Sequence, residues 1–203
     1  MPIHDQEIES KFYVSNLGRV EQSLVALGAI CRVPRGFEYN LRFDDPDNRL
    51  KSRHHVLRLR RSDDTRLTFK GPGEMRNGAI LRTELELVVD DFETAQRFLE
   101  ALGYQAMICY EKYRAMYAID GALVTLDELP YGNFVEIEVE KLETIAAVAQ
   151  KLGLRAEAAI PASYIGLFET ARAYKKLPAK NLTFEEFKGV SISPADLGVS
   201  PAD

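Results

Sequence analysis

The chain has 203 residues, with 26 Lys and Arg against 31 Asp and Glu, and a formal charge of -5. Its 46% hydrophobic and 28% charged content is that of a globular domain large enough to bury a core. The acidic balance argues against the broad basic footprint of a nucleic-acid binder, and no apolar run is long enough for a membrane-spanning helix.

Met1-Pro2-Ile3-His4-Asp5 lacks the charged and apolar regions of a secretory leader. Cys31 and Cys109 have no metal-type spacing and read as buried free thiols, so the expected location is the cytoplasm. The first strand, Glu7-Ile8-Glu9-Ser10-Lys11, alternates charge with smaller or apolar residues. Asn16 then caps a helix carrying Leu17, Val20, Leu24 and Leu27 at helical spacing, with Gly28 near its end. Strands are expected at 30–33 and 37–43, broken by the turn-rich Asp44-Asp45-Pro46-Asp47-Asn48. Residues 54–61 and 65–70 read as a hairpin about Asp63-Asp64, ended by Gly71-Pro72-Gly73, and 79–89 as the next strand. Asp91 caps a second helix through Leu102. Strands follow near 104–118, 122–128 and 133–140, with Asp120-Gly121 as a hairpin turn. Helices are expected at about 144–152 and 162–175. The stretch 177–203 reads as an extension or clamp on a main domain of 1–176.

Six segments place charge on every second residue: those beginning at Glu7, Arg58, Arg66, Arg82, Lys112 and Glu136. Period two gives each strand one charged and one apolar face. Six such strands, carrying both signs, predict a sheet closed into a barrel with charges lining its lumen. The apolar faces (Leu57, Leu59, Leu67, Phe69, Leu81, Leu85, Leu87, Tyr113, Val135, Ile137 and Val139) would then lie outside, beneath the amphipathic helices. Such a lumen suits a polyanion and its metal ions. Gly71-Pro72-Gly73 lacks the Lys-Ser/Thr ending of a phosphate loop and reads as a turn. His54 and His55 read as exposed polar residues, and Ser163 and Tyr164 as cap and packing residues. Arg42 matches the inward parity and is read either as a phosphate contact or as a partner of Asp44.

Glu7-x-Glu9-x-Lys11 resembles the ExExK signature of the CYTH proteins, the triphosphate tunnel metalloenzymes. The resemblance runs through Leu57-Arg58-Leu59-Arg60, Thr68-Phe69-Lys70-Gly71-Pro72, Arg82-x-Glu84-x-Glu86, Glu111-Lys112-x-Arg114, Leu126-Asp127-Glu128 and Gly132-x-Phe134-x-Glu136-Ile137-Glu138. It covers roughly residues 3–170, and within the family it is most similar to the class IV adenylyl cyclase branch. It implies an α+β fold whose closed antiparallel eight-stranded β-barrel has a charged lumen, with helices packed outside. Lys11, Arg58, Arg60, Lys70, Arg82, Lys112 and Arg114 would then grip a triphosphate. Glu7, Glu9, Asp127, Glu136 and Glu138 would hold Mg2+ or Mn2+. The resemblance places Glu7, Glu9, Lys11 and Glu136 in catalysis, and Glu84 and Glu86 as partners of lumen cations. The expected reaction is cyclisation of ATP to cyclic AMP and pyrophosphate. The alternatives are hydrolysis of tripolyphosphate, thiamine triphosphate or a nucleoside triphosphate, and polyphosphate binding without catalysis. The expected partner is a small-molecule triphosphate, with no nucleic acid or membrane, for a monomer or a homodimer.

Overall fold

Alternating residues in nine segments pair as antiparallel strands, and eight of these segments close on themselves. In the computed structural model, which describes residues 6–203, the strands are β1 (Gln6–Val14), β2 (Ile30–Asp44), β3 (Val56–Arg61), β4 (Thr65–Lys70) and β5 (Glu74–Arg76). They continue with β6 (Ala79–Val89), β7 (Gln105–Ile119), β8 (Ala122–Leu129) and β9 (Gly132–Val139). The helices are α1 (Leu17–Ala26), α2 (Arg49–Ser52), α3 (Phe92–Ala101), α4 (Thr144–Lys151) and α5 (Tyr164–Lys175). Around the ring the order is β1-β9-β8-β7-β2-β3-β4-β6, and β6 returns to β1 through Glu7↔Arg82 and its neighbours. Short β5 continues β4 along the same edge of β6, bridged by Gly71 N donating to Thr83 O at 2.8 Å. The α+β class and the closed ring of eight strands match the sequence expectation.

Local chemistry fixes the joints. Asn16 Oδ1 accepts from Arg19 N at 3.2 Å, and Asp91 Oδ1 from Thr94 N at 2.8 Å, starting α1 and α3. Asp120 and Gly121 have φ of 51° and 74°, as a two-residue hairpin requires. At Gly132 a Cβ would stand 2.7 Å from the Tyr13 ring, so only glycine lets β9 begin there.

Three apolar layers cover the ring. Phe12, Val14, Val124, Val135 and Ile137 meet Val20 and Leu24 of α1 and Ile145 and Val148 of α4. On the far wall, Leu41, Phe43 and Leu59 meet Phe92 and Leu99 of α3. One end is closed by Phe134, Tyr131 and Tyr110 beneath Tyr164 and Phe168 of α5 and Leu182 and Phe187. Residues 177–203 stitch this end. Leu182 pairs with the edge of β7, exchanging bonds with Cys109 O (3.0 Å) and Glu111 N (2.9 Å), and Ala202 N reaches Tyr13 O at 2.8 Å.

Several expectations need correction. β2 is one strand of 15 residues, not two, because register shifts at Val33, Gly36 and Phe43 absorb Pro34 and Gly36 as bulges. α2 and β5 follow directly on the turns expected at 44–48 and near 71–73, in stretches for which no element was expected. Both cysteines are free thiols, but neither is fully buried: Cys31 is exposed at the start of β2 and Cys109 is half-buried. Leu85 and Leu87 point outward as expected but remain about half exposed, at 48% and 54%. Tyr113 is covered by the Arg35 guanidinium (3.8 Å), Phe37 and Phe184, not by a helix.

Candidate functional site

Antiparallel partners in register point to one face, so the strand pairs trace the inner wall. Glu9 faces Glu138, Lys11 faces Glu136, and Thr125 faces Glu136 in turn. Arg114 opposes Asp127, Lys112 opposes Glu38, Arg42 opposes Arg58, Thr68 opposes Glu86, and Lys70 opposes Glu84. The wall encloses a cavity of about 940 Å³. Glu7, Glu9, Lys11, Arg58, Arg60, Lys70, Arg82, Lys112, Arg114, Glu136 and Glu138 all line it. Of the residues singled out from sequence, only Asp127 stays behind the wall.

Ion pairs bind this wall together. Lys70 Nζ donates to Glu7 at 2.7 and 3.0 Å and lies 3.0 Å from Glu84. Arg82 bridges Glu7 (2.7 Å) and Glu9 (2.9 Å). Lys11 sits 3.1 Å from Glu136, whose other oxygen accepts from Arg114 at 2.5 Å. Asp127 is fully buried and accepts from Arg114 Nε and Nη2 (2.7 and 2.6 Å), Lys112 Nζ (3.2 Å) and Tyr164 OH (2.7 Å). Four donors leave it little capacity for a metal, and its geometry suits orienting Arg114 and Lys112. Glu86 accepts from Arg66 (2.6 Å) and Thr68 (2.9 Å).

The carboxylates titrate apart. Burial alone would raise Glu7, but Lys70 and Arg82 overcome it and hold it at about 2. Glu136 is likewise held well below the usual range, burial being outweighed by Lys11, Arg114 and Lys112. Glu84, half-buried, is pushed up to about 6 by its loss of solvent and by the Glu7 charge, against the pull of Lys70. Glu138 is open to water yet enclosed by the cavity walls. That enclosure, with repulsion from Glu7, Glu84 and Glu9, pushes it to about 7. The β1–β9–β6 wall therefore carries an excess of negative charge.

That excess fits a hard divalent cation. Among the described residues no three carboxylate, imidazole or thiolate groups converge at coordinating distance. Mg2+ commonly keeps several waters and takes phosphate oxygens, so one or two carboxylates from this wall suffice.

Other inward residues carried no clear sequence signal. Glu38, on β2, faces Lys112 and Arg60, each at 3.6 Å, and is held at about 2 despite its burial. Gly36, Glu38, Asn40 and Arg42 alternate with Phe37, Tyr39, Leu41 and Phe43, a period-two pattern hidden by its neutral members. Tyr164, read as packing, places its ring under Lys11 (4.5 Å) and Lys112 (5.3 Å) and its hydroxyl on Asp127. Ser163 caps α5, and His54 is exposed.

Known structures share this fold. Among curated proteins, none matches the chain by sequence. A solved structure from Vibrio parahaemolyticus, named as a candidate adenylate cyclase, superposes with a TM-score of 0.73 at 22% identity, covering 80% of this chain and 97% of its own. A protein of Pyrococcus horikoshii OT3 gives 0.66 at 27% identity, covering 78% and 97%. A Hippeastrum protein, named as a candidate adenylyl cyclase with a dominant triphosphatase activity, gives 0.61 at 20% identity, covering 80% and 95%. The family model described as the CYTH domain matches residues 5–164, and the chain belongs to that family.

Proposed function

We propose that this protein is a divalent-metal-dependent enzyme that binds a triphosphate inside the ring and hydrolyses it. The observation that carries this reading is the wall itself: Arg and Lys from six strands face inward across from a surplus of carboxylates. A binder alone has little use for Glu84 and Glu138 held in mutual repulsion. Charged groups line the cavity throughout, and its aromatic rings, Tyr110 and Tyr164, lie at the closed end, which favours a phosphate chain over a stacked nucleobase.

In this reading Arg58, Arg60, Lys70, Arg82, Lys112 and Arg114 hold the phosphoryl oxygens and neutralise charge as the bridging P–O bond lengthens. Lys11, fixed between Glu136 and the Tyr164 ring, donates to a phosphoryl oxygen. Asp127 and Tyr164 keep Lys112 and Arg114 in place. Glu7, Glu9, Glu136 and Glu138 would hold Mg2+ or Mn2+, whose chemistry is charge neutralisation and acidification of water. Water adds to a terminal phosphorus, the bridging P–O bond breaks, and orthophosphate and diphosphate leave.

The second reading is cyclisation of ATP, favoured by an apolar lip of Val33, Met116, Leu123 and Val139 that could receive a base. Incubation with tripolyphosphate, thiamine triphosphate and ATP plus Mg2+ or Mn2+, with products separated by chromatography, distinguishes them. Orthophosphate release supports hydrolysis, cyclic AMP with pyrophosphate supports cyclisation, and no turnover of any substrate refutes both.

A further inference from the structure

Within the ring, unpaired polarity is concentrated on one wall. The buried side-chain polar atoms without a hydrogen-bond partner among the described residues are Glu38 Oε2, both amide atoms of Asn40, and the Nε atoms of Arg58 and Arg60. All belong to β2 and β3, adjacent strands joined by Asn40↔Arg60 and Arg42↔Arg58. Asn40 is 0% exposed, and burying an amide with no partner is costly unless something polar completes it.

Arg42 stands next on the same inward face and lines the cavity. Among the described residues, no carboxylate lies within salt-bridge distance of its guanidinium. The other cations of the wall each have one, as Arg58 has Glu86 at 3.6 Å and Arg60 has Glu38 at 3.6 Å. Asp44, the alternative partner for Arg42, is instead engaged by the backbone N–H groups of Asp45, Leu50 and Lys51 at 2.8 to 2.9 Å. Burial lowers the pKa of Arg42, Arg82 and Arg58 add to that shift, and Tyr110 and, more weakly, Glu169 oppose it. A cation set beside Arg58 and Arg82, with no carboxylate in salt-bridge distance among the described residues, is the arrangement an incoming anion completes.

Resting on the triphosphate reading above, we infer that Arg42, backed by Asn40, binds a phosphoryl group at the end of the substrate remote from Glu7, Glu9 and Glu138. The carboxylate wall takes the phosphoryl groups that share a metal, and β2–β3 takes the one that does not. This makes Arg42 a length-selecting residue: a triphosphate engages both walls, and a diphosphate held at the carboxylate wall does not reach it.

Titration calorimetry of the full-length protein with the non-hydrolysable imido analogues of tripolyphosphate and of pyrophosphate, in the presence of Mg2+, tests this. Arg42→Ala should weaken the tripolyphosphate analogue roughly 10- to 100-fold and leave the pyrophosphate analogue within about twofold, with Arg42→Lys between. Without ligand, Arg42→Ala should melt at or above the wild-type temperature, since an uncompensated cation has gone. Affinity for the tripolyphosphate analogue within about twofold of wild type, or equal weakening of both anions, overturns the assignment while the triphosphate reading stands. Failure of the wild-type protein to bind the tripolyphosphate analogue overturns both.

Discussion

Glu38 and Glu138 line the same cavity from different walls and answer pH with opposite signs. Glu38 has a folded pKa of about 2, below the ordinary 4.5, so its ionisation stabilises the fold above pH 4.5 and that contribution is lost as pH falls toward 2. The shift corresponds to on the order of 3 kcal/mol. Glu38→Gln should therefore be less stable than wild type at pH 7, with the gap in urea denaturation narrowing below pH 4.5. Glu138, raised to about 7, favours the fold below pH 4.5 and loses that advantage as pH rises through 7. In metal-free buffer Glu138→Gln should raise the melting temperature at pH 8 and leave it unchanged at pH 4. A melting temperature that falls at pH 8 would remove the repulsive carboxylate cluster from the account. Tyr164→Phe keeps the ring under Lys11 but withdraws one donor from buried Asp127. It should cost about 1 to 3 kcal/mol in denaturant unfolding; an unchanged midpoint would show that the hydroxyl is not needed there.

At the scale of elements, each strand carries two roles on its two faces. On β3, Leu59 is fully buried against Phe92 and Leu99 of α3, while Arg60 faces the cavity. Leu59→Ala should lower stability by about 2 to 5 kcal/mol and leave triphosphate affinity of the folded protein intact. Arg60→Ala should do the reverse, and thermal melts beside calorimetry separate the two; matching behaviour of both variants would contradict the assignment of faces. Strands with charge on every second residue, such as β1, β6 and β9, were legible because alternation of charge is hard to produce by chance. β2 was not, because Pro34 and Gly36 look like a break and become bulges, and because neutral Asn40 dilutes its charged face. Asp127 shows the complementary limit: its parity was readable, but its burial depends on Tyr164 from α5, a contact that spacing along the chain does not disclose. Cys31 was misplaced for a similar reason, since exposure at the start of β2 is set by tertiary packing.

The whole molecule is a ring whose closed end is built from late segments of the chain. Leu182 is fully buried there, among Tyr110, Phe168 and Phe187, and its backbone extends the edge of β7. Leu182→Ala should destabilise the protein by about 2 to 5 kcal/mol, a larger effect than a loosely attached extension would give; a change under about 0.5 kcal/mol in urea unfolding would make residues 177–203 an appendage. The same closure gives the cavity a floor of Tyr164 and Tyr110, backed by Phe134. Ring, floor and charge segregation together lead to one claim, that a triphosphate lies inside the ring between the β2–β3 cations and the β1–β6–β9 carboxylates. A crystal structure of the protein with a non-hydrolysable triphosphate and Mn2+ tests it most directly. Phosphoryl density is expected within hydrogen-bonding distance of Arg58, Arg60, Lys112 and Arg114, and anomalous metal density beside Glu7, Glu9 or Glu138. Triphosphate density on the outer surface, with the inner ion pairs intact, would contradict it.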